Sequence, residues 1–101
     1  MVDVLQDKHL AIAEACVCFG VARLDVFGSV LRDDYRPGKS DIDLLVEFQP
    51  HEDYALVEAY FGLLDELRAL LGDVDLVMAD AVKNPYVARA IEREKQLLYA
   101  A

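Results

Sequence analysis

The stretch Asp41-Ile42-Asp43-Leu44-Leu45-Val46-Glu47-Phe48 opens with two aspartates in what otherwise reads as a core strand. Aspartate is a poor strand former and costly to bury. On an extended chain, residues i and i+2 project to the same face, so Asp41 and Asp43 point the same way. A fold for this chain must give one face of this strand a core. The other face must tolerate two neighbouring carboxylates. A second run, Asp73-Val74-Asp75-Leu76-Val77-Met78, repeats the theme. There Asp75 sits inside the apolar stretch, while Asp73, beside Gly72, reads as solvent-facing.

The remaining segments supply the frame. Val2 to Phe19 has a helical period, with Leu5, Ile12, Cys16 and Phe19 along one face, and Gly20 ends it. Ala22 to Phe27 alternates Ala, Leu and Val against Arg and Asp and predicts a strand. Gly28-Ser29 predicts a turn into a short helical segment around Val30 to Asp33. The loop that follows carries the Pro37-Gly38 turn signal. The strand Asp41 to Phe48 stops near Pro50. Tyr54 to Leu71 is the strongest helical pattern, with Val57, Tyr60, Phe61, Leu64, Leu67 and Leu71 at helical spacing and Gly72 as a stop. Leu56, Leu63 and Leu70 widen its apolar arc to roughly 180°, more than one core face needs. That stripe is either an interface for a second copy or a partner helix, or a surface packed by the C-terminal segment. Asp73 to Met78 is a third strand. Asn84-Pro85 opens a helix running to about Arg93, with Asn84 as N-cap and Pro85 in the first turn. Gln96 to Ala100 closes the chain as a short strand. The expected class is α/β (α+β): a single domain over 1–101, with a small mixed sheet flanked by helices.

Bulk properties narrow the function. A length of 101 residues with 55% hydrophobic content suits one small domain with a core. The formal net charge is −9, and only ten residues are basic, with no basic stripe. Stable nucleic-acid binding needs clustered Lys and Arg, so that class is disfavoured. The charge suits a cationic partner surface or bound divalent metal. No apolar run approaches the ~18 residues of a membrane span. The N-terminus lacks the basic-then-apolar order of a signal peptide, so a cytoplasmic protein is expected. Cys16 and Cys18 stand at i and i+2 of a helix and do not face each other, which predicts two reduced packing residues. His9 and His51 show no metal-ligand spacing.

The aspartates and the Gly-Ser turn read as two halves of one site. Adjacent carboxylates repel, and one tends to hold a proton. A divalent cation relieves the conflict. Mg²⁺ binds through one or two carboxylates plus substrate phosphates, and two carboxylates on adjacent same-face positions can hold a metal pair bridging a triphosphate. Asp75 joins Asp41 and Asp43 if the two strands are neighbours. Gly28 lets backbone approach a phosphate, and Ser29 offers a hydroxyl and free N–H groups. Arg32, Lys39 and Ser40 lie within reach of the same phosphates. Ser29 has no histidine in a suggestive motif to make it a nucleophile. Tyr35 reads first as an exposed loop aromatic, second as an acceptor or stacking group. A lone Gly-Ser or Asp-x-Asp is common and says little. The combination across three strands says more, because burying unpaired carboxylates is costly.

Gly28-Ser29, Asp41-Ile42-Asp43-Leu44-Leu45-Val46 and Val74-Asp75-Leu76-Val77 resemble the minimal nucleotidyltransferases of the DNA polymerase beta-like nucleotidyltransferase superfamily. The similarity runs from about Ala22 to Tyr99. It implies a polymerase beta palm-like fold. It implies that Gly28 and Ser29, with Arg32 and Ser40, bind a nucleoside triphosphate, and that Asp41, Asp43 and Asp75 hold two Mg²⁺ or Mn²⁺ ions. It further implies that Asp75 helps activate the acceptor hydroxyl. Small members of this kind pair with an all-helical HEPN-domain toxin. The resemblance thus implies an antitoxin moving AMP from ATP to a tyrosine of that partner. The alternative is a catalytically weak or inactive module that neutralises its partner by association. A small-molecule hydroxyl as acceptor ranks lower. Two departures lie in one loop: Val30 to Ser40 is eleven residues where the family usually has ten, and Asp33 follows Arg32 where many members have Gly.

Overall fold

The computed structural model describes residues 3–31 and 41–101. The order is α1 (Asp3–Asp7), α2 (His9–Cys18), β1 (Val21–Phe27), a 3-10 turn (Gly28–Leu31), β2 (Ile42–Phe48), α3 (Asp53–Leu71), β3 (Val74–Met78), a second 3-10 turn (Ala79–Ala81), α4 (Pro85–Glu94) and β4 (Gln96–Ala100). The four strands form one mixed sheet in the order β3-β2-β1-β4. β1 runs antiparallel to β2 and β4, and β2 runs parallel to β3. This is the expected α+β class.

Alternation decides which face of each strand meets the core. Leu24 and Val26 of β1, Ile42, Leu44 and Val46 of β2, and Val74 and Leu76 of β3 are buried, together with Leu5, Ile12 and Cys16 from α1 and α2 and Leu63, Leu64 and Leu67 from α3. These helices therefore cover one face of the sheet. The opposite face carries Arg23, Asp25, Asp43, Leu45, Glu47 and Asp75. Among the described residues, α4, through Ala88 and Ile91, and the second 3-10 turn with Val82 after it lie against part of it.

Local chemistry sets the ends. The Asn84 side chain accepts the N–H groups of Tyr86 and Val87, with Pro85 in the first turn, as the sequence predicts. Gly72 ends α3 at φ +86°, a left-handed value open to glycine.

Four expectations change. The N-terminal helix is two segments broken at Lys8 rather than one. The turn after β1 is helical from Gly28 rather than Val30. Its expected extension to Asp33 and the start at Val2 lie outside the described residues. On α3 the buried face is Ala59, Leu63, Leu64 and Leu67, while Val57 and Phe61 are exposed. Leu63 is core, and Leu56 and Leu70 are half-buried, so the surplus apolar surface is Tyr54, Val57 and Phe61. The reason is a helix–helix contact: the Phe19 ring lies where a β-carbon on Gly62 would sit. That contact fixes the rotation of α3 among options the wide apolar arc left open. Finally, Cys16 is buried but Cys18 is exposed, so only the first is a packing residue.

Burial pushes the Cys16 thiol up to about 12, so it stays protonated and unreactive at pH 8. Ellman's reagent is expected to titrate one thiol per native chain, that of Cys18, and two in guanidinium. Cys18→Ser should leave a native chain with none.

Candidate active site

The register places the aspartates. Ile42 pairs with Val74 and Leu44 with Leu76 along the parallel ladder, so Asp43 stands beside Asp75. Neighbouring strands lie about 4.8 Å apart. The flanking apolar pairs are buried, and both carboxylates therefore emerge on the opposite face. Asp41 precedes β2 by one residue and is exposed, on the same side as Asp43 by alternation. The Ile42 N–H donates to the Asp73 carbonyl at 2.9 Å, which anchors the start of the ladder. Asp43 is half-buried, and Asp75 and Asp73 are exposed. The aspartates are thus not sunk in the core as their apolar neighbours suggest; they line the open face.

The Gly28 turn meets this row directly. Phe27 pairs with Asp43 across the β1–β2 ladder, so the chain leaves β1 over the Asp43 carboxylate. Gly28 adopts φ +82°. A β-carbon there would overlap Oδ2 of Asp43 and sit 3.0 Å from its Cγ. Glycine is required twice, by the backbone angle and by the close approach. The Gly28 N–H donates to Oε1 of Glu94 at 3.0 Å. The Ser29 side chain, Arg32, Tyr35, Lys39 and Ser40 lie outside the described residues.

A second charged group escaped the sequence reading. Asp25, taken from the pattern as a polar-face residue, is 2% exposed. Arg23 donates to it through Nε at 2.9 Å and through a terminal nitrogen at 3.1 Å, and Lys95 Nζ stands 3.9 Å away. This hydrogen bond holds the Arg23 guanidinium firmly protonated. The signal in the sequence is weak: only Arg23 at i−2 hints at a partner, and Lys95 comes from the far end of the chain.

The Asp43–Asp75 pair fits a divalent cation that takes one or two carboxylates and completes its shell with phosphate oxygens and water. Among the described residues, no three acidic, imidazole or thiol groups converge tightly enough to hold a metal by themselves.

The small mixed sheet thus carries an aspartate row beside a glycine turn. The sequence matches the nucleotidyltransferase domain over residues 10–98. It is 44% identical over 93 residues to a Methanocaldococcus jannaschii relative named as a protein adenylyltransferase, covering 91% of this chain and 88% of that one. A solved structure described as a minimal nucleotidyltransferase superposes with a TM-score of 0.76 at 32% identity, covering 93% and 92% of the two chains. The same fold occurs in a chain of the complex of a tri-AMPylated Shewanella oneidensis HEPN toxin with its MNT antitoxin, at TM-score 0.60 and 19% identity over 96% of this chain and 73% of that one. It occurs again in a toxin–antitoxin structure with AMP-PNP, at TM-score 0.65 and 20% identity over 93% and 74%. The chain belongs to the nucleotidyltransferase-domain family.

Gly28→Ala is expected to destabilise the fold by about 1–3 kcal/mol, from the left-handed backbone and the overlap with Asp43. Urea unfolding followed by circular dichroism measures this.

Proposed function

We propose that this chain is a metal-dependent protein adenylyltransferase that moves AMP from ATP to a tyrosine hydroxyl of a helical HEPN-type toxin, as the antitoxin of the pair. The observation that carries the reading is the Asp43–Asp75 register, with Asp41 two residues away and the Gly28 turn packed on Asp43. The relative named as an adenylyltransferase and the AMPylated toxin complex support the reaction class and the partner. The AMP-PNP complex supports an adenine nucleotide.

In this reading Asp41, Asp43 and Asp75 would hold the metals, Gly28 and Ser29 would lie against the triphosphate, and Arg32 and Ser40 would bind the same phosphates. Bound Mg²⁺ or Mn²⁺ would neutralise phosphate charge and lower the barrier to displacement. The acceptor oxygen bonds to the α-phosphorus as the bond to the β-phosphate oxygen breaks. Pyrophosphate leaves, and Asp75 takes the hydroxyl proton.

A second reading, neutralisation by association alone, is favoured by a separate observation. Tyr54, Val57 and Phe61 are exposed on α3 beside an apolar groove that includes Tyr60, Leu76 and Met78. Such a patch suits a protein partner.

Asp43→Asn, with its fold retained, is expected to lose AMP transfer from α-labelled ATP to the partner by at least about 10²-fold. Labelling equal to wild type would sink the catalytic reading. If Asp43→Asn still protects cells from the toxin while Phe61→Asp does not, association alone is the function.

A further inference from the structure

The second strand pair of β1 points at a residue that no strand aspartate explains. Asp25 pairs with Leu97 and Val26 with Gln96 in the antiparallel β1–β4 ladder. Continuing that register two residues brings Gly28 opposite Glu94, the last residue of α4. The Gly28 N–H donates to Glu94 Oε1 at 3.0 Å there.

This alignment depends on a bulge. Farther along, Arg23 pairs with Ala100 and Leu24 with Tyr99, and the register then shifts so that Leu98 is passed over. Without the shift, Lys95 rather than Glu94 would face Gly28. Bulges often re-aim a side chain next to a functional site. Leu98, the passed-over residue, is buried in the core, so the bulge is held by packing.

Neighbouring contacts make the placement rigid. Lys95 N–H closes α4 on the Ile91 carbonyl at 2.8 Å. Its ammonium reaches the buried Asp25 carboxylate. Gln96 enters the ladder immediately afterwards. Glu94 is therefore fixed from both sides, and its carboxylate is presented to the turn that lies on Asp43.

We propose that Glu94 is a positioning residue of the nucleotide site: its carboxylate latches the Gly28 N–H and holds the glycine turn on Asp43 in the form that receives the triphosphate. This rests on the nucleotidyltransferase reading of the site. The interaction needed is an acceptor oxygen at Gly28, not a ligand to substrate. Glu94→Gln keeps such an acceptor and Glu94→Ala removes it.

The experiment measures two things on wild type, Glu94→Gln and Glu94→Ala. The first is amide hydrogen exchange at Gly28 in the nucleotide-free chain. The second is binding of ATP with Mg²⁺ by calorimetry, with the melting temperature of each variant as a fold control. Loss of the Gly28 hydrogen bond to its charged acceptor predicts at least about tenfold faster exchange and about tenfold weaker ATP binding in Glu94→Ala. Glu94→Gln should recover most of both. Glu94→Ala that exchanges and binds as wild type overturns the latch. Glu94→Gln as weak as Glu94→Ala overturns it too, because charge and not an acceptor would then matter. Should Glu94→Ala fail to fold, the Gln variant decides: near-wild-type exchange and binding uphold the latch. A wild-type chain that binds no ATP, with Gly28 still protected, overturns the nucleotide reading instead.

Discussion

The parallel ladder between β2 and β3 decides where charge can lie in this molecule. Ile42 and Val74, and Leu44 and Leu76, are paired and buried. Burying four such side chains contributes about 6–12 kcal/mol. Two unit charges about 5 Å apart at a surface-like dielectric repel by at most about 3 kcal/mol, less with water and salt around Asp75. Burial wins. A slip of one residue would exchange the faces, burying both aspartates and exposing the apolar set. The force that stabilises the sheet thus also enforces the carboxylate pair, which cannot relax by changing register.

The other edge of the sheet imposes a second constraint. Asp25 is buried on the open face and needs its cations: Arg23 from its own strand and Lys95 from the chain's last tenth. A buried carboxylate left without partners is costly. The start of β4 is therefore held to β1 by charge as well as by ladder hydrogen bonds. Its consequence is positional. The residue preceding Lys95 is brought to the end of β1, where the glycine turn begins. The middle and the exit of β1 are linked in this way: an ion pair at Asp25 helps fix the segment that meets Gly28.

Much of this was legible in the sequence. The strands follow from alternation, and the Asn84-Pro85 helix start from cap chemistry. That Asp41, Asp43 and Asp75 share an environment followed from strand period and from the guess that their strands neighbour each other. What was illegible has physical causes. The rotation of α3 was undetermined, because an apolar arc of roughly 180° permits several buried faces; the choice was made by Phe19 against Gly62, 43 positions apart. The burial of Asp25 depended on Lys95, and no local pattern announces a partner that distant. Glu94 is an ordinary helix residue in the sequence, and its place opposite Gly28 depends on a bulge whose position alternation does not mark. The aspartates can stand in apolar runs without being buried because a strand has two faces, and Asp43 and Asp75 lie on the one turned away from the core.

The same geometry constrains how charge is balanced at the site. The open face gathers Asp41, Asp43, Asp75 and, at the turn, Glu94. Among the described residues, the cations beside its strands, Arg23 and Lys95, are paired with Asp25 and, for Lys95 more closely, with Glu92. A free triphosphate would meet this face as like charge meeting like charge. On the proposed reading, neutralisation would arrive largely with the nucleotide, as its metal complex. In that reading the glycine turn would act by the shape it holds on Asp43 rather than by net charge. That is why its fixation on Asp43 matters more here than it would in a site lined with lysines.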